Sequence, residues 1–209
     1  MARIAKKAGA YHHGNLRLVL IESALRVIEK EGAAAVSLHA LTKRAGVSSG
    51  AAYHHFASRE QLLAAVAAQG FERLVAEMRR VAPTMTEDPL AYLEGLGRAY
   101  IRFAITHRGH FRVMFRAELR AHLSKEERQK SDAALDLLQH AIVACQQTGR
   151  LAAGDVKALA LLAWSTVHGA SELWIEGSLS DKGLVPDEQT LIATITNTFM
   201  RSVTGQLRA

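Results

Sequence analysis

Proline is the residue that helices tolerate least, and only three prolines, Pro83, Pro89 and Pro186, interrupt this chain of 209 residues. Between them, alanine, leucine, arginine and glutamate recur, so each long window favours helix over strand. The expected fold class is all-α. Hydrophobic residues make up 49% of the chain, enough to bury a real core. No stretch approaches the roughly 18 continuous apolar residues that a membrane helix needs, and the first residues lack an apolar signal segment. A cytoplasmic protein without membrane contact is expected. The lone Cys145 sits in an apolar segment, cannot pair internally, and is read as a buried structural thiol.

Charge is unevenly placed. Residues 1–60 hold nine Lys/Arg against four Asp/Glu, so most of the net charge of +6 belongs to this N-terminal part of the chain. A basic head on a nearly neutral body suits a polyanion, although an anionic membrane surface would meet the same requirement.

Helix signals divide the chain into about nine helices in four sections. Residues 1–14 read as a basic arm without apolar periodicity. In 15–60, Leu16, Val19, Leu20, Ala24, Val27 and Ile28 form one helical face that Gly32 closes. Ser37 then caps a short helix with Leu38, Leu41 and Ala45 inward. Gly46 supplies a positive φ, Val47 an apolar anchor, and Ser48 caps a further short helix reaching His55. Ser58 and Gln61 have capping-box spacing and open a long connecting helix through 61–82, toward Val81 and ended by Pro83. In 83–209, Asp88 and Pro89 start a helix to about Thr106. Gly109, the Ser124/Glu127 capping pair, Gly149, Asp155 and a loop from Gly177 to Pro186 mark out about four more.

Lys43 to Phe56, KRAGVSSGAAYHHF, has helix-turn-helix grammar: a short helix, a glycine turn, an apolar plug and a second short helix. Ala51 and Ala52 would keep that second helix thin enough for a groove about 12 Å wide. An ordinary helical hairpin shares the glycine-valine turn. The wider context favours DNA: YHHGNLR (Tyr11 to Arg17), KRAGVSSGAAYHHF and SREQLLAAVAAQGFERL (Ser58 to Leu74) resemble, in order and spacing, the DNA-binding head of TetR-family transcriptional regulators. WSTVHGASEL (Trp164 to Leu173) is similar to the tryptophan, histidine and glycine signature of one C-terminal class of that family. The resemblance implies a homodimer on a palindromic double-stranded DNA operator, usually repression, and release by a small-molecule effector in the C-terminal domain. It implies no cofactor.

Four positions in the head depart from the family's pattern. Thr42 replaces a common alanine, Ser49 a frequent lysine, and Ala51 and Ala52 larger residues. Base contacts would therefore fall to Ser48, Ser49, Tyr53, His54, Ala51 against a thymine methyl, and His39 from the preceding helix. Phosphate contacts would come from Lys6, Lys7, Arg17 and Arg59, the last in the first turn of its helix. His55 and Phe56 are expected to pack inward. A helical regulator with weak or lost DNA binding is the alternative that this side-chain-poor helix leaves open.

In the body, Leu161, Trp164, His168 and Ile175 form one stripe, with Ser165 and Gly169 small enough for close helix approach. Leu191, Ile192, Ile195, Phe199 and Val203 form another. The resemblance places these two helices in a dimer interface, whereas amphipathicity alone fits monomer core equally well. Phe103, Phe111, Met114, Phe115, Trp164 and His168 are the candidate lining of an apolar cavity, with one polar ligand group facing the histidine. Arg108, Arg112, Arg116 and Arg120 read as a solvated basic stripe. His107 and His110 lack an identifiable third ligand, so no metal is assigned. Neither a phosphate loop, a nucleophile elbow nor a base beside Cys145 supports an enzyme.

Overall fold

A computed structural model describes residues 16–205, and the side chain of Ser49 lies outside that description. Lys6, Lys7 and the 1–14 arm therefore fall outside the described residues. The described chain is all-helical: α1 Leu16–Glu31, α2 Leu38–Ala45, α3 Ser49–His55, α4 Arg59–Met78, α5 Pro89–Thr106, α6 Arg108–Met114, α7 Lys125–Gln147, α8 Val156–Ile175, α9 Ser178–Asp181 and α10 Glu188–Val203. Two 3₁₀ turns, Ala33–Ala35 and Ala117–His122, complete it. The count exceeds nine because the 177–186 loop folds one helical turn of its own.

The helix starts follow local chemistry. Ser37, Ser48, Ser58, Asp88, Ser124, Asp155 and Asp187 each accept a backbone N–H from the first turn of the following helix. Ser124 and Glu127 form the full reciprocal box, at 3.1 and 2.8 Å. Ser58 and Gln61 do not: Ser58 accepts from Gln61, but the Gln61 amide oxygen accepts from Ala57 instead. Gly46 ends α2 at φ +67°, a conformation that penalises any residue with a Cβ.

The buried residues separate into two main cores joined by α4. The first combines Leu20, Ile21 and Ile28 of α1, Leu41 of α2, Ala52 and Phe56 of the α3 region, and Leu62 to Ala68 of α4. It also takes in Val113, Leu119 and Leu123 from far along the chain. The second core begins at Phe71, Leu74 and Met78, the far half of α4, and adds α5, α7 and parts of α8 and α10. Cys145 is fully buried there, and burial pushes its thiol up to about 11, as an inert structural thiol requires.

Glycine sets the spacing where three helices meet. A Cβ at Gly70 of α4 would lie 2.6 Å from Met114 Sδ, and one at Gly109 of α6 would lie 2.7 Å from both Glu29 Cγ and Leu25 Cδ1 of α1. Gly109 thus stands inside α6 as a contact point and does not divide helices. Because α6 ends at Met114, the Arg108 to Arg120 series is not one continuous stripe; Arg108 and Arg116 bond nearby carbonyls, and Arg120 reaches the cavity described next.

Candidate functional site

The turn at Gly46 and the half-buried Val47 seat α2 against α3. Leu38, Leu41 and Thr42 face inward, and the Thr42 hydroxyl donates to the His39 carbonyl at 2.8 Å. The polar atom that replaces a smaller side chain is thus satisfied within its own helix turn. Ala52 is completely buried and Ala51 packs partly on the first core, so both alanines are small for reasons of packing. For Ala52 this corrects the sequence reading of a small residue kept for the groove, since its side chain faces the core, while Ala51 stays half outward. Phe56 is buried as expected, while His55 is only half-buried.

What remains outward is compact. Tyr53 is 53% exposed, and His54 and His39 are exposed with it. Ser48 spends its oxygen on the Ala51 N–H at 3.3 Å, which leaves its hydroxyl proton free to donate. Ala51, half-buried, offers less surface to a base than its sequence position promised.

The two described arginines expected to hold phosphate are both engaged within the chain. Arg59 Nε donates to the Val36 carbonyl at 3.0 Å, Nη2 to Ala33 at 2.6 Å, and Nη1 to Glu60 at 3.3 Å. It ties the 3₁₀ turn after α1 to the start of α4. Arg17 lies over the Phe56 ring at 5.3 Å and within 3.8 Å of Glu127 Oε1, the same glutamate that caps α7.

The second feature is a cavity of about 710 Å³ in the body. Phe71, Leu74 and Met78 of α4 form one wall, Leu96 and Tyr100 of α5 another, and Trp164, Val167 and His168 of α8 a third. Four of the six expected lining residues reach it: Met114, Phe115, Trp164 and His168. Phe103 and Phe111 do not. Phe103 is fully buried against the His107 ring, and Phe111 stands behind the wall, with its ring packed on Tyr100, Phe115 and His168. Tyr100 and Arg120 line it as well, outside the six residues that the sequence singled out.

Trp164 donates its indole N–H to Tyr100 Oη at 3.3 Å, and Tyr100 Oη lies 2.8 Å from His168 Nδ1. Burial holds the Tyr100 phenol well above its usual range and lowers the proton affinity of His168. Glu94 at the cavity edge is paired with Arg98, which also donates to Asn197 of α10 at 3.1 Å. No group of metal-ligating side chains occurs among the described residues. No helix there is long and apolar enough to cross a membrane.

The described residues thus combine a helix-turn-helix head with a helical body that holds a cavity. Residues 20–66 match the family described as bacterial regulatory proteins, tetR family, and residues 93–199 match the one described as Tetracyclin repressor-like, C-terminal domain. The chain belongs to the tetR family, whose members are non-enzymatic DNA-binding regulators. It is 31% identical over 102 residues to the HTH-type transcriptional regulator BetI of Rhizobium meliloti strain 1021, a match spanning 49% of this chain and 43% of that protein. Among solved structures, a Rhodococcus sp. RHA1 protein of unknown function is 30% identical, with a TM-score of 0.77 over 94% of this chain and 99% of the other. A Rhodococcus RHA1 regulatory protein of the tetR family shares the fold at 21% identity, with a TM-score of 0.72 over 90% and 96% of the two chains.

Proposed function

We propose that this chain is a cytoplasmic, homodimeric transcriptional repressor of the tryptophan-histidine-glycine C-terminal class, released from a palindromic operator when a small molecule fills the body cavity. The observation that carries this reading is the coexistence in one chain of an outward α3, bearing Tyr53 and His54, and a large, mainly apolar cavity whose wall includes α4. One helix therefore touches both the head core and the ligand space. Residues 15–60 serve as head, 61–82 as connecting helix and 83–209 as effector and dimer domain.

The dimer surface falls on α8. Leu161, Leu162 and Leu173 remain 62%, 52% and 49% exposed, and they accompany Ser165 and Gly169, where an added Cβ would meet nothing within 4 Å at the glycine. The apolar stripe of α10 is largely spent within the monomer: Leu191 and Ile192 are buried, and Ile195, Phe199 and Val203 pack on the cores.

A gel-shift titration of the full chain against its own upstream DNA tests the proposal. A discrete complex whose affinity falls steeply with salt is expected, because each neutralised phosphate contributes a slope of about 0.9. The second reading, a helical regulator with weak or lost DNA binding, is favoured by the internal engagement of Arg17 and Arg59. Binding equally weak on upstream and unrelated DNA at all salt concentrations would select it.

A further inference from the structure

Of the polar side chains on the cavity wall, Trp164, Tyr100 and His168 are hydrogen-bonded to one another, and one arrangement of protons satisfies all three. Indole nitrogen only donates, so the 3.3 Å contact runs from Trp164 to Tyr100. Tyr100 keeps its own proton, and the one further partner it has among the described residues is His168 Nδ1, at 2.8 Å. If the imidazole donated from Nδ1 instead, the buried phenol would accept twice and its proton would lack an acceptor, which a desolvated hydroxyl penalises. The chain of donation is therefore Trp164 to Tyr100 to His168. An imidazole that accepts at Nδ1 in its neutral form carries its proton on Nε2. That N–H donates to none of the described residues, and the ring lines the cavity.

We propose that His168 Nε2–H is a fixed donor that makes the cavity selective for a neutral, mainly apolar molecule bearing one acceptor oxygen, such as a ketone, ester or amide carbonyl. The proposal rests on the cavity being the effector site. Its neutrality requirement comes from the surroundings. Phe71, Leu74, Leu96 and Val167 give an apolar wall, and the carboxylates lining the cavity are Glu94, held by Arg98, and Asp132, which is exposed. Arg120, the lining cation, is itself exposed. A ligand carboxylate against His168 would exchange its water for one neutral N–H beside an apolar wall, with the lining cation Arg120 held in water. An ammonium would meet a donor with a donor. A carbonyl loses little water and gains one directed bond.

Three nearly isosteric probes separate these cases: 2-acetylnaphthalene, 2-ethylnaphthalene and 2-naphthoate, each titrated into the full chain by calorimetry at mildly alkaline pH. The ketone should bind about tenfold more tightly than the hydrocarbon, the equivalent of one net hydrogen bond, and more tightly than the carboxylate. In His168→Phe the hydrocarbon should still bind and the preference for the ketone should vanish. Tyr100→Phe, a smaller change, should shrink the same preference by freeing the tautomer, and it decides the matter if His168→Phe fails to fold. Equal binding of ketone and hydrocarbon, tightest binding of 2-naphthoate, or an unaltered preference in the variants would overturn the His168 assignment alone. Failure of all three to bind a folded, DNA-competent protein would remove the effector-cavity reading, and the proposal with it.

Discussion

His110 of α6 is sealed against α4, with Nε2 bonded to Gln69 Oε1 at 3.0 Å and Nδ1 buried without a partner among the described residues. Burial, helped by the charges of Arg73 and His107, pushes its pKa down to about 4. Because the unfolded chain binds the proton more readily than the folded one, the stability associated with neutral His110 is complete above about pH 6.5 and declines as pH falls toward 4. The loss is on the order of 3 kcal/mol. Denaturant unfolding at neutral and acidic pH should show a steeper acid loss in the parent protein than in His110→Leu; identical pH dependence would place the sensitivity elsewhere. At the outward face, Tyr53→Ala should weaken operator binding while leaving the thermal midpoint nearly unchanged, since most of its surface already meets water. Arg59→Ala should do the reverse of what a pure phosphate contact would: it should lower stability by about 1–3 kcal/mol, because two buried-edge carbonyls lose a charged donor. A full-strength thermal midpoint in that variant would return Arg59 to the DNA surface.

At the scale of helices, α6, like α4, touches both the head and the cavity. Gly109 abuts α1 of the head, and Met114 lines the cavity while resting on Gly70 of α4. Gly70→Ala should crowd Met114, cost about 1–3 kcal/mol of stability and reduce ligand affinity. The double variant Gly70→Ala/Met114→Ala should recover part of both losses, and strictly additive effects would show that the two residues do not share the space. Legibility in the sequence follows the same division. Caps at Ser37, Ser48, Asp88, Ser124 and Asp155 were readable because each is satisfied within four residues. The cavity lining was readable only in part, since periodicity marks Tyr100, Phe103 and Phe111 alike as inward, and only the packing of distant helices decides which of them borders a void. The engagement of Arg59 with carbonyls 26 and 23 residues earlier was beyond any local signal.

At the scale of the molecule, replacing Leu162 and Leu173 together by glutamate should yield a monomer in sedimentation and remove operator binding, because one short recognition helix supplies too few contacts alone. A dimer that persists would move the interface away from α8. If a ligand in the cavity weakens DNA binding, operator DNA must weaken ligand binding by the same factor, which calorimetry with and without DNA can check. The continuity of α4 through both cores has a separate consequence for anyone exchanging heads between such proteins. The seam between modules lies at Gln69–Gly70, inside a helix, where Ala68 belongs to one core and Phe71 to the other. A graft is therefore a question of phase: one residue too many at that seam would turn the head by about 100° and advance it by about 1.5 Å relative to the body, out of register with Val113, Leu119 and Leu123, which the body lends to the head's core.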